Sequence, residues 1–205
     1  MTSIQFPLGR YIFACIALVC AAVVPLVAHA QQSSMSPATA AATAPELSPE
    51  ERRAYNEGLA EARRLMGEKQ WARAAARLDT LVQQRPREAQ ARFLKGVVLT
   101  EQGESDAAIA TFRALTQDYP EIPEPYNNLA VLYARKGEIT SARIALETAI
   151  QTAPNWAVAH ENLADIYLRL AVDHYDRAAQ LDPANRALAS KLKLARDLLA
   201  SAKPA

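Results

Sequence analysis

A 34-residue period constrains this chain more than any other feature. Pro86, Pro120 and Pro154 are separated by 120 − 86 = 34 and 154 − 120 = 34 residues. The same spacing relates Ala62, Gly96, Ala130 and Ala164, then Ala74, Ala108 and Ala142, then Leu65, Leu99, Tyr133 and Tyr167, and again Leu78, Phe112 and Leu146. A period of this size means stacked supersecondary units, each too small to bury its own apolar face and therefore dependent on its neighbours.

The stretch from Pro123 to Pro154 shows what one unit is. Tyr126, Leu129, Ala130 and Tyr133 recur at helical spacing, Gly137 interrupts, and Ile139, Ala142, Leu146 and Ala149 form a second apolar face. The unit is a helical hairpin in which the small residues Ala130 and Ala142 let two backbones approach closely. Composition agrees: half of the residues are apolar, dominated by Ala and Leu, with only 6 Gly against 12 Pro, which favours helices over strands.

These columns resemble the tetratricopeptide repeat family, most closely in the unit ending at Pro154. The unit ending at Pro120 fits through Gly96, Gly103, Ala108 and Phe112, and the unit ending at Pro86 through Ala62, Trp71 and Ala74. The resemblance implies an all-α solenoid of about 3.5–4 hairpins closed by a C-terminal capping helix. The expected units are 48–86, 87–120, 121–154 and a degenerate fourth at 155–182, with the capping helix and tail at 183–205. The start signal is specific: Ser48, Pro49 and Glu51 have the spacing of a capping box with proline in the first turn.

Departures from the family pattern carry information too. Glu61 and Lys95 stand where the family usually has leucine, and an ion pair between the first helices of adjacent units would account for both. The aromatic column reads Gly58, Arg92, Tyr126 and His160, while Asn128 and Asn162 occupy a column suited to a structural hydrogen bond. In the fourth unit the proline arrives at 183, only 183 − 154 = 29 residues after its predecessor, and the missing five are the glycine-containing turn. Leu163, Tyr167, Leu170, Ala171, Tyr175, Ala178 and Leu181 keep helical phase across the gap, which predicts one long helix from about Asn155 to Leu181, the alternative being a tight turn near Arg169 to Val172 that restores a shortened hairpin. A closing helix from Pro183 to about Ala200 would cover it with Leu188, Leu192, Ala195 and Leu199, leaving Lys191, Lys193 and Arg196 in solvent.

The N-terminal region has a different character. Arg10 precedes an apolar run from Tyr11 to Val24, and Ala28-His29-Ala30 supplies small residues two apart, so residues 1–30 read as a signal peptide cleaved before Gln31. Residues 31–47 have the Ala, Ser and Pro content of a flexible linker. The expected location is periplasmic, with membrane association only if the signal is retained. Both cysteines, Cys15 and Cys20, fall inside the signal, so no disulfide framework or thiolate metal site is expected downstream.

Removing Arg10 leaves 23 − 1 = 22 Lys and Arg against 22 Asp and Glu, a balance that argues against nucleic acid as a partner. His160 and His174 are the only histidines past the signal, and no catalytic or metal-binding motif occurs, so neither catalysis nor a cofactor is expected. In the family that the chain resembles, the first helix of each pair lines a concave peptide-binding side. By register this implies a protein or peptide site of Leu59 and Arg63, Phe93 and Val97, Asn127, Val131 and Arg135, and Glu161 and Asp165. The expected function is an exported protein–protein interaction scaffold in cell-envelope assembly. The alternatives are an accessory subunit of an envelope enzyme, in cytochrome maturation, polysaccharide export or peptidoglycan processing, and a membrane-anchored assembly factor.

Overall fold

The computed structural model describes residues 47–201, so the expected signal peptide and nearly all of the linker lie outside the described residues. The described residues open on the capping box: the Glu51 amide donates to Ser48 Oγ at 3.2 Å, and the Ser48 amide donates back to the Glu51 carboxylate at 2.9 Å. With Pro49 in the first turn, this launches α1 (Pro49–Gly67). Seven more helices follow: α2 (Trp71–Gln84), α3 (Ala89–Glu101), α4 (Ser105–Asp118), α5 (Pro123–Arg135), α6 (Ile139–Thr152), α7 (Ala157–Leu181) and α8 (Arg186–Ser201). Every described element is helical, and none of these helices is long and apolar enough to cross a membrane.

The hairpin turns recur with the period. Residues 69, 103 and 137 have φ of 56°, 79° and 79°, and the next amide donates back to a helix carbonyl, Gln70 to Leu65, Glu104 to Leu99 and Glu138 to Tyr133. This left-handed cap satisfies carbonyls that the ending helix leaves open. Glycine supplies the conformation at 103 and 137, but Lys69 supplies it in the first turn at a cost of about 1–2 kcal/mol for an L side chain.

Each helix packs on its predecessor, and α1 also touches α3 as α3 touches α5. First helices are therefore neighbours along one side of the stack. The small-residue column sits where the two helices of a hairpin cross: Ala62, Ala74, Ala108 and Ala142 are fully buried and Ala130 nearly so. At Gly96 the close approach is absolute, since a Cβ there would lie 2.6 Å from Cε1 and 2.7 Å from Cζ of the buried Phe112.

The aromatic column is filled by different means in each unit. Tyr126 donates its hydroxyl to the Pro120 carbonyl at 3.3 Å, and His160 Nε2 lies 2.8 Å from the Pro154 carbonyl, so that nitrogen carries the proton. Arg92 instead pairs with Asp118 at 2.7 Å while its guanidinium lies 5.9 Å from the centre of the Tyr119 ring. Gly58 leaves the column empty, and Arg77 and Leu81 of α2 move into the space.

The expected pair between Glu61 and Lys95 does not form. Glu61 pairs with Arg77 at 2.8 Å and Lys95 with Asp79 at 2.5 Å, because α2 packs against both α1 and α3 and offers each a partner of opposite charge. Both pairs are partly exposed and contribute only about 0–1 kcal/mol each.

The fourth unit has no turn. α7 runs unbroken for 25 residues, close to the expected span, and serves two cores in succession. Its first half packs on the preceding unit through Ala159, Leu163, Ile166 and Leu170, and its second half on α8 through Leu168, Val172, Tyr175 and Ala179. Two details differ from expectation. Ile166 and Val172 are the deeply buried positions, while Leu181 is 71% exposed because the chain turns away immediately after it. α8 begins three residues beyond Pro183, at Arg186, where Asn185 Oδ1 accepts the Leu188 amide at 3.1 Å and so replaces Asp182 as the cap. As anticipated, Leu192 and Ala195 are buried on the inner face of α8. Lys191, Lys193 and Arg196 lie in solvent as expected, where Lys193 and Arg196 also pair with Asp197 and Asp176.

Candidate interaction face

The sequence-derived site residues fall on the first helices α1, α3, α5 and α7, which share one side of the stack. Leu59 is a correction. It is 1% exposed and belongs to the core with Tyr55, Leu65, Ala91 and Val98, so it touches no partner. The reason is visible in the equivalent column position of α5. There, Asn162 of α7 donates to Asn127 Oδ1 at 2.8 Å, which shows that this column is where successive first helices meet. A leucine in that seam is enclosed, whereas a polar side chain can bridge it. Asn128, expected like Asn162 to make a structural hydrogen bond, does so within its own helix, donating to the Glu124 carbonyl at 2.9 Å.

The other residues stay accessible to different degrees. Phe93 and Val97, one turn apart on α3, are half-buried, with the Phe93 ring 5.7 Å from Phe112 and tilted 57° to it. Packing on one side fixes these side chains and leaves the other side open. Val131 of α5 and Asp165 of α7 are also half-buried, and Arg63, Arg135 and Glu161 are exposed. The arrangement is an apolar centre on α3 and α5 with charges toward both ends, suited to a chain that inserts apolar side chains and anchors its polar groups outside them.

One further column belongs to this face. Met66, Thr100, Ala134 and Leu168 stand 34 apart, each one turn beyond Arg63, Val97, Val131 and Asp165, and all but Ala134 are half-buried. The period applied at the next helical turn would have found them.

At the α6–α7 junction Tyr167 donates its hydroxyl to Glu147 at 3.1 Å, and Arg143 grips the same carboxylate at 2.6 Å. The hydrogen bond from Arg143 holds the Glu147 carboxyl below the usual range, while donation to Glu147 pushes the Tyr167 phenol up. Among the described residues no group of three or more His, Asp or Glu is placed to hold a metal ion.

Comparison with known proteins fits this geometry. The family model described as tetratricopeptide repeat matches residues 59–123 and 101–156. Residues 59–156 carry tetratricopeptide repeats. The human tetratricopeptide repeat protein 8 is 41% identical over 64 residues, 31% of this chain, although the match spans only 12% of that protein. Among solved structures, the Yersinia enterocolitica type III secretion chaperone SycD, in complex with a peptide of the translocator YopD, aligns with a TM-score of 0.54 at 16% identity, covering 57% of this chain and 95% of SycD. MamA from Desulfovibrio magneticus RS-1 aligns with a TM-score of 0.52 at 19% identity, over 64% of this chain and 77% of MamA. At such identities the structural likeness establishes the helical-solenoid fold that these tetratricopeptide arrays share.

Proposed function

We propose that the chain is an exported interaction scaffold that binds a polypeptide along the first-helix face and catalyses nothing itself. The observation that carries this reading is the set of half-buried apolar side chains, Phe93 and Val97, packed on the core beneath, with Val131 on the next first helix, flanked by exposed Arg63 and Glu161. A fixed apolar centre with a charged rim binds a segment without having to order itself first, which lowers the entropic cost of association. That a solenoid of the same fold, SycD, is seen with a translocator peptide supports a peptide as the kind of ligand. Export, with cleavage before Gln31 and a role in envelope assembly, is supported by the charged flank, apolar run and Ala28-His29-Ala30 ending of residues 1–30.

The test is site-specific crosslinking in the cell. A photoreactive side chain at Val97 should capture a defined polypeptide, whereas the same group at Ile144, 53% exposed on α6, should not. Equal capture at both positions, or none at Val97, refutes the face. N-terminal sequencing of the exported protein should begin at Gln31, and a mature chain that retains Arg10 refutes cleavage.

A further inference from the structure

Where the second helix of the fourth unit is missing, the crossing site that it would have covered stays open. Ala62 and Ala130 are 0% and 1% exposed, but the equivalent Ala164 lies on the surface. Tyr167 is 48% exposed, whereas Leu65 and Leu99 of the same column are 2% and 9% exposed. α8 returns along the far half of α7 and leaves a groove whose floor is Ala164, Leu168 and Ala171 and whose walls carry Tyr167 and Leu198. Leu194, one turn before Leu198, continues the wall and is 70% exposed. Exposed leucines at this spacing, next to an exposed tyrosine, make a contiguous apolar patch of the kind that marks an interaction surface.

The charges indicate what covers it. Asp165 lines the groove at one end, and Lys191, on the same stripe of α8 as Leu194 and Leu198, lies toward the other. Neither has an ion-pair partner among the described residues, although Lys193, Arg196, Asp176 and Asp197 nearby are all paired. Arg196 pairs with Asp176 and α8 runs back along α7, so Lys191 sits more than about 15 Å from Asp165 along the helix axis at 1.5 Å per residue. An apolar strip with one unpaired acid at one end and one unpaired base at the other is complementary to itself when turned end for end. That is the signature of a two-fold, isologous contact.

We infer that the α7–α8 groove is the interface between two copies of this chain, packed antiparallel, with Leu194 and Leu198 of each over the Ala164–Ala171 floor of the other and Lys191 facing the partner copy's Asp165. The pairing supplies from a second molecule the helix that the fourth unit lacks. It leaves Phe93, Val97 and Val131 free and shares only its edge, Asp165 and Leu168, with the interaction face, so the Leu194 and Leu198 changes, which lie outside that face, test it separately from peptide binding.

Sedimentation velocity of the purified full chain tests it. A dimer is expected at about 50 µM, dissociating on dilution, because so short an apolar strip gives micromolar association. Leu194→Glu with Leu198→Glu should give a monomer with an unchanged helical circular dichroism spectrum, both leucines being exposed in the single chain. Lys191→Asp alone and Asp165→Lys alone should each weaken the dimer at least tenfold, and the two together should restore it. A wild-type chain that stays monomeric at about ten times that concentration overturns the proposal. So does a dimer indifferent to the leucine changes, or a double charge swap that fails to restore association. Loss of a foreign bound protein in the leucine variant, with the wild-type chain itself monomeric, would assign the groove to another partner and overturn it as well.

Discussion

Gly96 offers the most direct test of the packing argument, because two opposing effects of known size meet there. In an exposed helix Gly→Ala is stabilising by about 1 kcal/mol, since alanine loses less backbone freedom on folding. At Gly96 the added Cβ would lie 2.6 Å, 2.7 Å and 3.1 Å from Cε1, Cζ and Cδ1 of Phe112, a ring that is fully buried and also packed against Phe93. Reaching an ordinary carbon–carbon contact requires the ring to retreat by about 1 Å. In a close-packed interior that displacement costs about 1–3 kcal/mol, so the usual gain is cancelled and Gly96→Ala should be destabilising by about 0–2 kcal/mol net. Urea unfolding followed by circular dichroism reads the change directly, with Gly67→Ala as control because nothing lies within 4 Å of its added Cβ. The control should be neutral or stabilising. In a Phe112→Leu background the Gly96→Ala cost should vanish, leaving a coupling of about 1 kcal/mol or more between the two sites. If Gly96→Ala is as well tolerated as Gly67→Ala, the hairpin crossing is not the tight contact described.

Lys69→Gly should be stabilising by about 1 kcal/mol, seen as a melting temperature raised by about 2–4 °C, because glycine removes the left-handed strain that Gly103 and Gly137 already avoid. Ala130→Leu, at a position 1% exposed, should be destabilising by about 1–3 kcal/mol in the same urea assay. Acid should weaken the fold. Glu51 is held below the usual carboxylate range by the Ser48 backbone and hydroxyl, Asp106 by the hydrogen bond from Lys136 and Glu147 by the one from Arg143. A depressed folded-state pKa contributes stability that is complete above the unfolded value, about 4, and is lost as pH falls through the folded one, so stability should decline below about pH 4. Ser48→Ala should shallow that decline, and an unchanged acid limb would show that the capping carboxylate carries none of it.

Most of the fold was legible because the period repeats the same physical problem. A small residue at each crossing, a glycine at two of the three turns and a proline after each pair can be read off by subtraction, and the long α7 followed from the absence of those turn residues between 157 and 181. Contacts between units were less legible. Leu59 shares its column with Phe93 and Asn127 on the first-helix side, but that column is also the seam between neighbouring first helices, and the individual side chain decides which role prevails. Glu61 and Lys95 were paired on equivalence alone, which ignored the helix that packs against both. Periodicity reports what each unit shares with the next and is silent about single charges and single volumes that differ.

The uninterrupted α7 also limits what the array can become. A solenoid of fixed period lengthens by copying a unit, since each copy presents to its successor the surface that it received from its predecessor. Here position 171, where the turn glycine would stand, is an alanine inside a helix, and α8 folds back on the extension instead of on Ala164. A further unit joined after residue 201 would therefore meet no familiar surface, so the array can grow by duplication of an internal repeat but not by extension at that end.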